Sequence, residues 1–168
     1  MSDYKIKTTA LMKEVMANYF KGLESGEKKI AWCTSVGPAE LLRSFGFEVY
    51  FPENHGALLG ATRTAMDHIP EAVKCGYSGH VCSYTTSDIG SFLKKDSPLQ
   101  THYGMKGVPK PDIIVYNTNQ CREVEDWFTF YADHFACPIE GIQPPRHLDE
   151  VTEDEVELVV KQFKRIIP

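Results

Sequence analysis

The chain has 168 residues, of which 42% are hydrophobic and 24% charged, so it is long enough for one globular domain with a sizeable core and too short for two comfortable ones. Its formal net charge of -5 argues against the basic surface that nucleic-acid binding requires. The N-terminus has no apolar segment of the signal-peptide type, and no apolar run is long enough to span a bilayer, so we expect a cytoplasmic protein with neither a nucleic-acid nor a membrane partner.

The first third of the chain predicts a helix followed by a strand, a helix and a second strand. Apolar residues between 11 and 23 recur every three or four positions, which is typical of an amphipathic helix. "KIAWCT" (29–34) is short and mostly apolar, as a buried parallel strand is. "VGPAELLRSFG" (36–46) has the start and stop signals of a helix, and "FEVYF" (47–51) is a second strand candidate. Together the last three predict a strand, helix, strand crossover unit.

The middle of the chain is less regular. Residues 57–77 predict helix in two pieces, with a break near Pro70. "YTTSDIGSFLKK" predicts a short helix that ends near Lys95, with three candidate N-caps, Thr85, Thr86 and Ser87. The Gly- and Pro-rich run 97–112 predicts a surface connection.

The last third returns to an alternation of strands and helices. "IIVYN" (113–117) predicts a strand, residues 121–135 a helix, "ACPIEGIQPP" a last strand or extended exit, and "TEDEVELVVKQFKRII" a capped helix. This order predicts a three-layer α/β fold with a mostly parallel sheet, Rossmann-like or flavodoxin-like, in a single domain. We expect an N-terminal helix and linker in residues 1–28 and the α/β domain in residues 29–168.

Five cysteines without any CxxC pair do not suggest a disulfide framework or a zinc ribbon. Three of them, Cys33, Cys82 and Cys121, come just before or at the start of a predicted helix, so we expect them at one edge of the sheet. The positive end of a helix dipole stabilises thiolates there and any cation that they hold. Cys75 lies inside a helical pattern and Cys137 precedes Pro138 at the start of an apolar run, so both are predicted to be packing thiols. The pattern leaves both packing and metal ligation open, and for a metal it favours an iron–sulfur cluster over zinc.

Four segments between Lys29 and Pro145 resemble, in this order, the N-terminal part of the benzoyl-CoA reductase / 2-hydroxyacyl-CoA dehydratase family: "IAWCTSVGPAELLRSFGFEVYFPENHGALLG", "GYSGHVCSYTTSDIGSF", "PKPDIIVYNTNQCREVEDWF" and "CPIEGIQPP". The resemblance implies Rossmann-like α/β domains that carry a four-iron four-sulfur (4Fe-4S) cluster. It also implies a homologous second subunit and a separate ATP-dependent activator that delivers single electrons. The implied reaction is radical dehydration of a 2-hydroxyacyl-CoA or reduction of an aromatic acyl-CoA.

The resemblance also implies roles for individual residues. Cys82 in "HVCSYT" and Cys121 in "NTNQC" match cluster ligands of the family. The family's third ligand lies in a C-terminal half that we expect this chain to lack, and Cys33 is a candidate substitute. Because an open three-ligand cluster is readily lost, we expect the chain prepared in air to contain no cluster. Ser35 and Glu53 match positions that approach the cluster and the acyl-CoA. Read from the residues alone, Ser35 is equally an N-cap hydroxyl and Glu53 a solvated loop acid.

Two hypotheses follow for the function. The first is an iron–sulfur electron-transfer component, or the N-terminal fragment of one, that acts on a CoA thioester; whether the chain alone is an enzyme stays open, because we expect it to be incomplete. The second is a cluster-free α/β scaffold with a role in binding or assembly. A zinc-bound structural domain is a weaker third. His55 and His80, which flank the matched segments, are candidate proton donors or ordinary exposed loop residues.

Overall fold

The computed structural model describes residues 3–146 and 149–167, with side chains from residue 8 onward. Within these ranges the chain forms eight helices and four strands. In chain order they are α1 (Asp3–Glu24), β1 (Ile30–Cys33), α2 (Ala39–Ser44), β2 (Glu48–Tyr50), α3 (Pro52–Ala61), α4 (Ala65–Lys74), α5 (Ser83–Lys94), α6 (Pro98–Tyr103), β3 (Ile113–Asn117), α7 (Glu123–Phe135), β4 (Ile139–Ile142) and α8 (Glu153–Ile166). No helix among the described residues is both long enough and apolar enough to cross a bilayer.

The four strands form one parallel sheet in the order β2-β1-β3-β4. Trp32 at the centre of the sheet pairs with Tyr50 on one side and with Ile114 on the other. The prediction of a parallel, Rossmann-like α/β domain is therefore confirmed. Strand order reverses between β1 and β3, because β2 lies on one side of β1 and the later strands lie on the other. Ligands of such sheets bind outside the carboxyl ends of the strands at this reversal point.

Strand side chains alternate between two apolar layers, as the period of a strand requires. One layer lies under α1, α5 and α7, and its strand residues are Ile30, Trp32, Tyr50, Ile114 and Tyr116. The other lies under α2 and α8, and its strand residues are Ala31, Cys33, Val49, Val115 and Ile142. The N-terminal helix α1 belongs to the first layer, because Phe20 and Leu23 are buried there and the Tyr19 hydroxyl donates to the Val49 carbonyl at 3.0 Å.

The helix break expected near Pro70 lies elsewhere. The helices α3 and α4 are separated at residues 62–64, and Pro70 sits inside α4. The Thr62 hydroxyl donates to the carbonyl four residues earlier at 2.9 Å, and Arg63 has a positive φ of 60°. The left-handed backbone at Arg63 ends α3, whereas Pro70 deprives α4 of one backbone hydrogen bond without ending it.

The predicted N-caps of α5 are also wrong. The N-cap is Cys82, and Thr85, Thr86 and Ser87 are buried within the helix. The helix therefore begins about one turn earlier than predicted, with the cysteine at its first, solvent-facing end.

The predicted surface connection 97–112 contains a further helix, α6. It begins with a capping box in which the Ser97 hydroxyl and the Gln100 side chain satisfy backbone N–H groups of the first turn. Pro98 and Leu99 are buried, so the start of this segment belongs to the core.

Candidate functional site

The loops that follow β1 and β3 are held side by side at the reversal point of the sheet. Thr34 is buried directly after β1, and its hydroxyl oxygen accepts a hydrogen bond from the Asn117 N–H at 3.0 Å. The Asn117 side-chain amide donates to the Val36 carbonyl at 3.2 Å. Residues carried on these two loops therefore share one edge, outside the carboxyl ends of the strands.

Ser35 and Glu53 meet at this edge. Ser35 is exposed in the loop after β1, and its backbone N–H donates to a carboxylate oxygen of Glu53. Glu53 lies in the first turn of α3, which begins with Pro52, a residue suited to that position because it needs no N–H there. The carboxylate thus anchors the Ser35 loop and leaves the serine hydroxyl at the surface.

Cys82 and Cys121 are both exposed, and a single residue connects their loops. Glu123, the first residue of α7, accepts a hydrogen bond from the Cys82 N–H at 2.9 Å. Its own N–H donates to the Cys121 sulfur at 3.3 Å. The two cysteines are 39 positions apart in the printed sequence, yet the structure brings their loops into direct contact. Sequence reasoning missed Glu123, for which the available signal was an acid in the first turn of a helix just after a cysteine.

The helix that carries Glu53, α3, packs closely on α5, which begins after Cys82. Gly56, about one turn after Glu53, approaches Tyr84, two residues after Cys82. A Cβ atom on this glycine would lie 3.2 Å from the tyrosine Cβ and backbone oxygen. The amino-terminal ends of α3 and α5 are therefore adjacent. An edge that joins helix N-termini with exposed thiols favours anionic groups and metal-bound sulfur.

Cys33, the candidate third ligand, is placed differently. Its side chain is buried in the layer under α2, where a Cβ on Gly37 would lie 2.5 Å from its sulfur. Burial, with a smaller effect of the Glu53 carboxylate, raises the thiol pKa of Cys33 to about 12. A thiol held protonated in an apolar layer is a poor metal ligand, so this packing argues against Cys33 in that role. Cys75, predicted to be a packing thiol, is exposed instead, and Cys137 is half-buried.

The thiol pair does not make a complete metal site by itself. Among the residues that the structure describes, no group of three or more His, Cys, Asp or Glu side chains is arranged to hold a metal ion. The donor set at this edge is therefore two thiols, which fits part of the ligand set of an iron–sulfur cluster.

A buried carboxylate lies below the site and joins the three helices that carry it. Asp88 of α5 accepts hydrogen bonds from the Trp127 indole N–H at 2.8 Å and from the Tyr131 hydroxyl, both on α7. It also contacts Nδ1 of His55 on α3, whose Nε2 lies 2.7 Å from the Ser97 hydroxyl. His55 is only 2% exposed, so it is a core residue, whereas His80 is exposed. Sequence reasoning missed Asp88, because an acid in a Ser/Thr-rich helix start is typical of solvent-exposed capping.

Comparison with known proteins identifies the family. Residues 34–168 match the family described as 2-hydroxyglutaryl-CoA dehydratase, D-component. The chain belongs to this family. It is 29% identical over 168 residues to the (R)-2-hydroxyisocaproyl-CoA dehydratase alpha subunit of Clostridioides difficile, a match that covers 98% of this chain and 39% of that protein. It is 28% identical over 171 residues to one of the benzoyl-CoA reductase subunits of Thauera aromatica, with 97% of this chain and 39% of that protein covered.

The match to the dehydratase D-component family includes Ser35, Glu53, Cys82 and Cys121 and begins one residue after Cys33. A third relative, the (R)-phenyllactyl-CoA dehydratase alpha subunit of Clostridium sporogenes, is 29% identical over 146 residues, which cover 83% of this chain and 33% of that protein. The chain thus spans about two fifths of the length of these relatives or less. The resemblance noted in the sequence is therefore confirmed at the level of a family of CoA-thioester dehydratases and reductases.

Proposed function

We propose that this chain is an iron–sulfur electron-transfer component, or the N-terminal part of one, of an enzyme that dehydrates a 2-hydroxyacyl-CoA or reduces an aromatic acyl-CoA. Cys82 and Cys121 are the two cluster ligands that it contributes. The observation that carries the proposal is the contact of the two exposed cysteine loops through Glu123, at the reversal point of the sheet. Membership of the dehydratase D-component family supports the class of reaction.

The local structure suits thiolate ligands. Cys82 is the N-cap of α5 and Cys121 lies two residues before α7, so both sulfurs are close to helix ends with positive partial charge. This position stabilises a negative charge by typically ~0.3 to 1 kcal/mol, which tunes a ligand without creating a site alone. We propose that the remaining ligands come from outside the described residues. When bound, a 4Fe-4S cluster supplies single electrons to the acyl-CoA.

Ser35 and Glu53 are proposed to serve the substrate. The exposed Ser35 hydroxyl can donate a hydrogen bond to a thioester carbonyl held at this edge. Glu53 keeps the serine in place through its backbone N–H, and as a half-buried carboxylate it can also accept a proton.

The proposed partners are a homologous second subunit and an ATP-hydrolysing activator that delivers the electron. The relatives are named as individual subunits of their enzymes, which supports the idea of a multi-subunit enzyme here. An exposed thiol pair agrees with this arrangement, because electron delivery and additional ligands both require access from outside the domain.

The test is anaerobic reconstitution of the purified chain with ferrous iron and sulfide, followed by measurement of bound iron and of the brown chromophore. Dithiothreitol in the reconstitution buffer supplies thiolates in place of the ligands that lie outside the described residues. We expect both the iron and the chromophore in the wild type and neither in a Cys82→Ala/Cys121→Ala variant. Cys75→Ala is the matched control, because Cys75 is also exposed but lies at the end of α4. Equal iron content in the wild type and the double variant would contradict the proposal. That result would favour the second hypothesis, a cluster-free scaffold, which agrees with the finding that no described group of three ligands converges.

A further inference from the structure

Glu123 contacts both cysteine loops from one position. Its side chain accepts the Cys82 N–H at 2.9 Å, and its main chain donates to the Cys121 sulfur at 3.3 Å. The side-chain bond crosses 41 positions of sequence, whereas the main-chain bond is local. The distance between the two loops therefore depends on the Glu123 side chain. The orientation of the Cys121 sulfur depends on the Glu123 backbone N–H.

The loop before α5, residues 78–82, makes mainly local hydrogen bonds. The Val81 N–H donates to the Ser78 carbonyl at 3.3 Å, and the His80 N–H donates to the Ser78 hydroxyl at 3.2 Å. Every residue from 78 to 84 is exposed, so little packing holds this loop in place. A loop of this kind is positioned by its specific hydrogen bonds rather than by buried apolar contacts.

We propose that Glu123 is a positioning residue that holds the loops of Cys82 and Cys121 together, so that both thiols can reach one bound group. This inference rests on the proposed function for its purpose, because a cluster needs both thiols to face one shared site. The side-chain bond itself is a property of the chain without metal. The proposal can therefore be tested without iron.

The test uses phenylarsine oxide, which binds tightly only where two thiols can reach one arsenic atom. It is carried out on the metal-free chain in a Cys75→Ser/Cys137→Ser background, in which the only accessible thiols among the described residues are those of Cys82 and Cys121. Binding is measured by intact-mass spectrometry and by titration of the remaining free thiols. We expect one arsenical per chain in this background. When Cys82→Ser is added to it, no arsenical should remain bound after dilution.

Glu123→Ala should weaken arsenical binding about fivefold, since an exposed hydrogen bond of this kind contributes about 1 kcal/mol. Glu123→Gln keeps an oxygen that can accept the Cys82 N–H, so it should restore binding to within about twofold of the parent. Asp126→Ala is the matched control: it removes an acid from the same turn of α7, and its side chain is exposed. It should leave binding unchanged, and a urea midpoint for each variant verifies the fold.

Two outcomes would overturn the inference: binding in Glu123→Ala equal to that of the parent, or a parent chain that binds no arsenical across the pair. The result is also distinguishable from failure of the proposed function. If iron reconstitution fails while Glu123→Ala still weakens arsenical binding, the positioning role stands and the cluster does not. If the cluster forms and Glu123→Ala changes neither the bound iron nor the arsenical binding, only the positioning role fails.

Discussion

Replacement of Asp88 by alanine should be among the most destabilising single changes in this chain. Its carboxylate accepts hydrogen bonds from Trp127 and Tyr131 and contacts Nδ1 of His55. All four residues are buried, with exposures of 2% or less, so water cannot replace the lost acceptor without opening the core. Burial, reinforced by the Asp88 charge, raises the pKa of Tyr131 well above its ordinary value, so its hydroxyl remains a donor.

The magnitude follows from the donors left behind. A buried polar group without a partner costs about 1–3 kcal/mol, so three such groups together with a small cavity predict a loss of about 4 kcal/mol or more in the free energy of unfolding. Asp88→Asn keeps one acceptor oxygen but turns an amide N–H₂ toward donors, so we expect a loss of about 2–3 kcal/mol. Tyr131→Phe removes one donor and leaves the carboxylate its other partners, which predicts a loss of about 1 kcal/mol.

The assay is urea unfolding at pH 7 under reducing conditions, followed by tryptophan fluorescence and circular dichroism. The decisive quantity is the coupling between Asp88→Ala and Tyr131→Phe. The double variant should be less destabilised than the sum of the single ones by about 1 kcal/mol, because the stranded hydroxyl is gone. Strictly additive effects, or a loss below about 1 kcal/mol in Asp88→Ala, would refute the account of this network as a satisfied buried site.

Three further predictions follow from packing and burial. Gly90→Ala should lower the free energy of unfolding by about 2–3 kcal/mol, because a Cβ there would overlap the His68 carbonyl group. Gly60→Ala should raise the free energy of unfolding by about 0.5 kcal/mol in the same urea assay, because at this helical position no atom outside the adjoining helix backbone lies within 4 Å of the new Cβ. Cys33 should not react with Ellman's reagent in the native chain at pH 8 and should react only after unfolding, which peptide mapping of the labelled protein would show; rapid native labelling would contradict its burial. Because burial raises the Cys33 pKa from 9.0 to about 12, the folded chain holds a proton that the unfolded chain releases above pH 9. Its stabilising contribution is complete below pH 9 and is lost toward pH 12, so between pH 9 and 10 the wild type should lose about 1 kcal/mol more stability than Cys33→Ala.

The sheet could be predicted from the sequence because each buried strand of such a fold appears as a short apolar run. "IIVYN" predicts a strand over 113–117, and β3 spans Ile113–Asn117. The start of α3 was missed although Pro52 marks it, because Gly56 and Gly60 lower the helix propensity of the segment. Tertiary packing explains the glycine at position 56. α5 approaches the Gly56 backbone so closely that a larger residue would contact Tyr84. Tertiary packing here overrides propensity.

The meeting of the two cysteine loops at the candidate site was predictable for the same reason. Cys82 and Cys121 each stand at the end of a local pattern, so their common edge followed from the topology. The orientation of Cys33 did not, because both faces of a central parallel strand are buried and its apolar run gives no sign of which face meets which layer. The Asp88 network could not be predicted either, since its partners lie 33 to 43 positions away.

Two sets of hydrogen bonds hold the proposed site. They differ in burial, so their loss should have different effects on the free energy of unfolding. The Asp88 network is closed to water, so loss of its acceptor leaves buried donors unpaired and lowers global stability. The Glu123 bond to Cys82 is exposed, so water can take its place and its loss should change the free energy of unfolding by no more than about 1 kcal/mol. A loosened thiol pair in a chain of unchanged stability would therefore assign the effect of Glu123→Ala to positioning. A parallel loss of stability and of arsenical binding in Asp88→Ala would show in addition that the buried network supports this edge of the sheet.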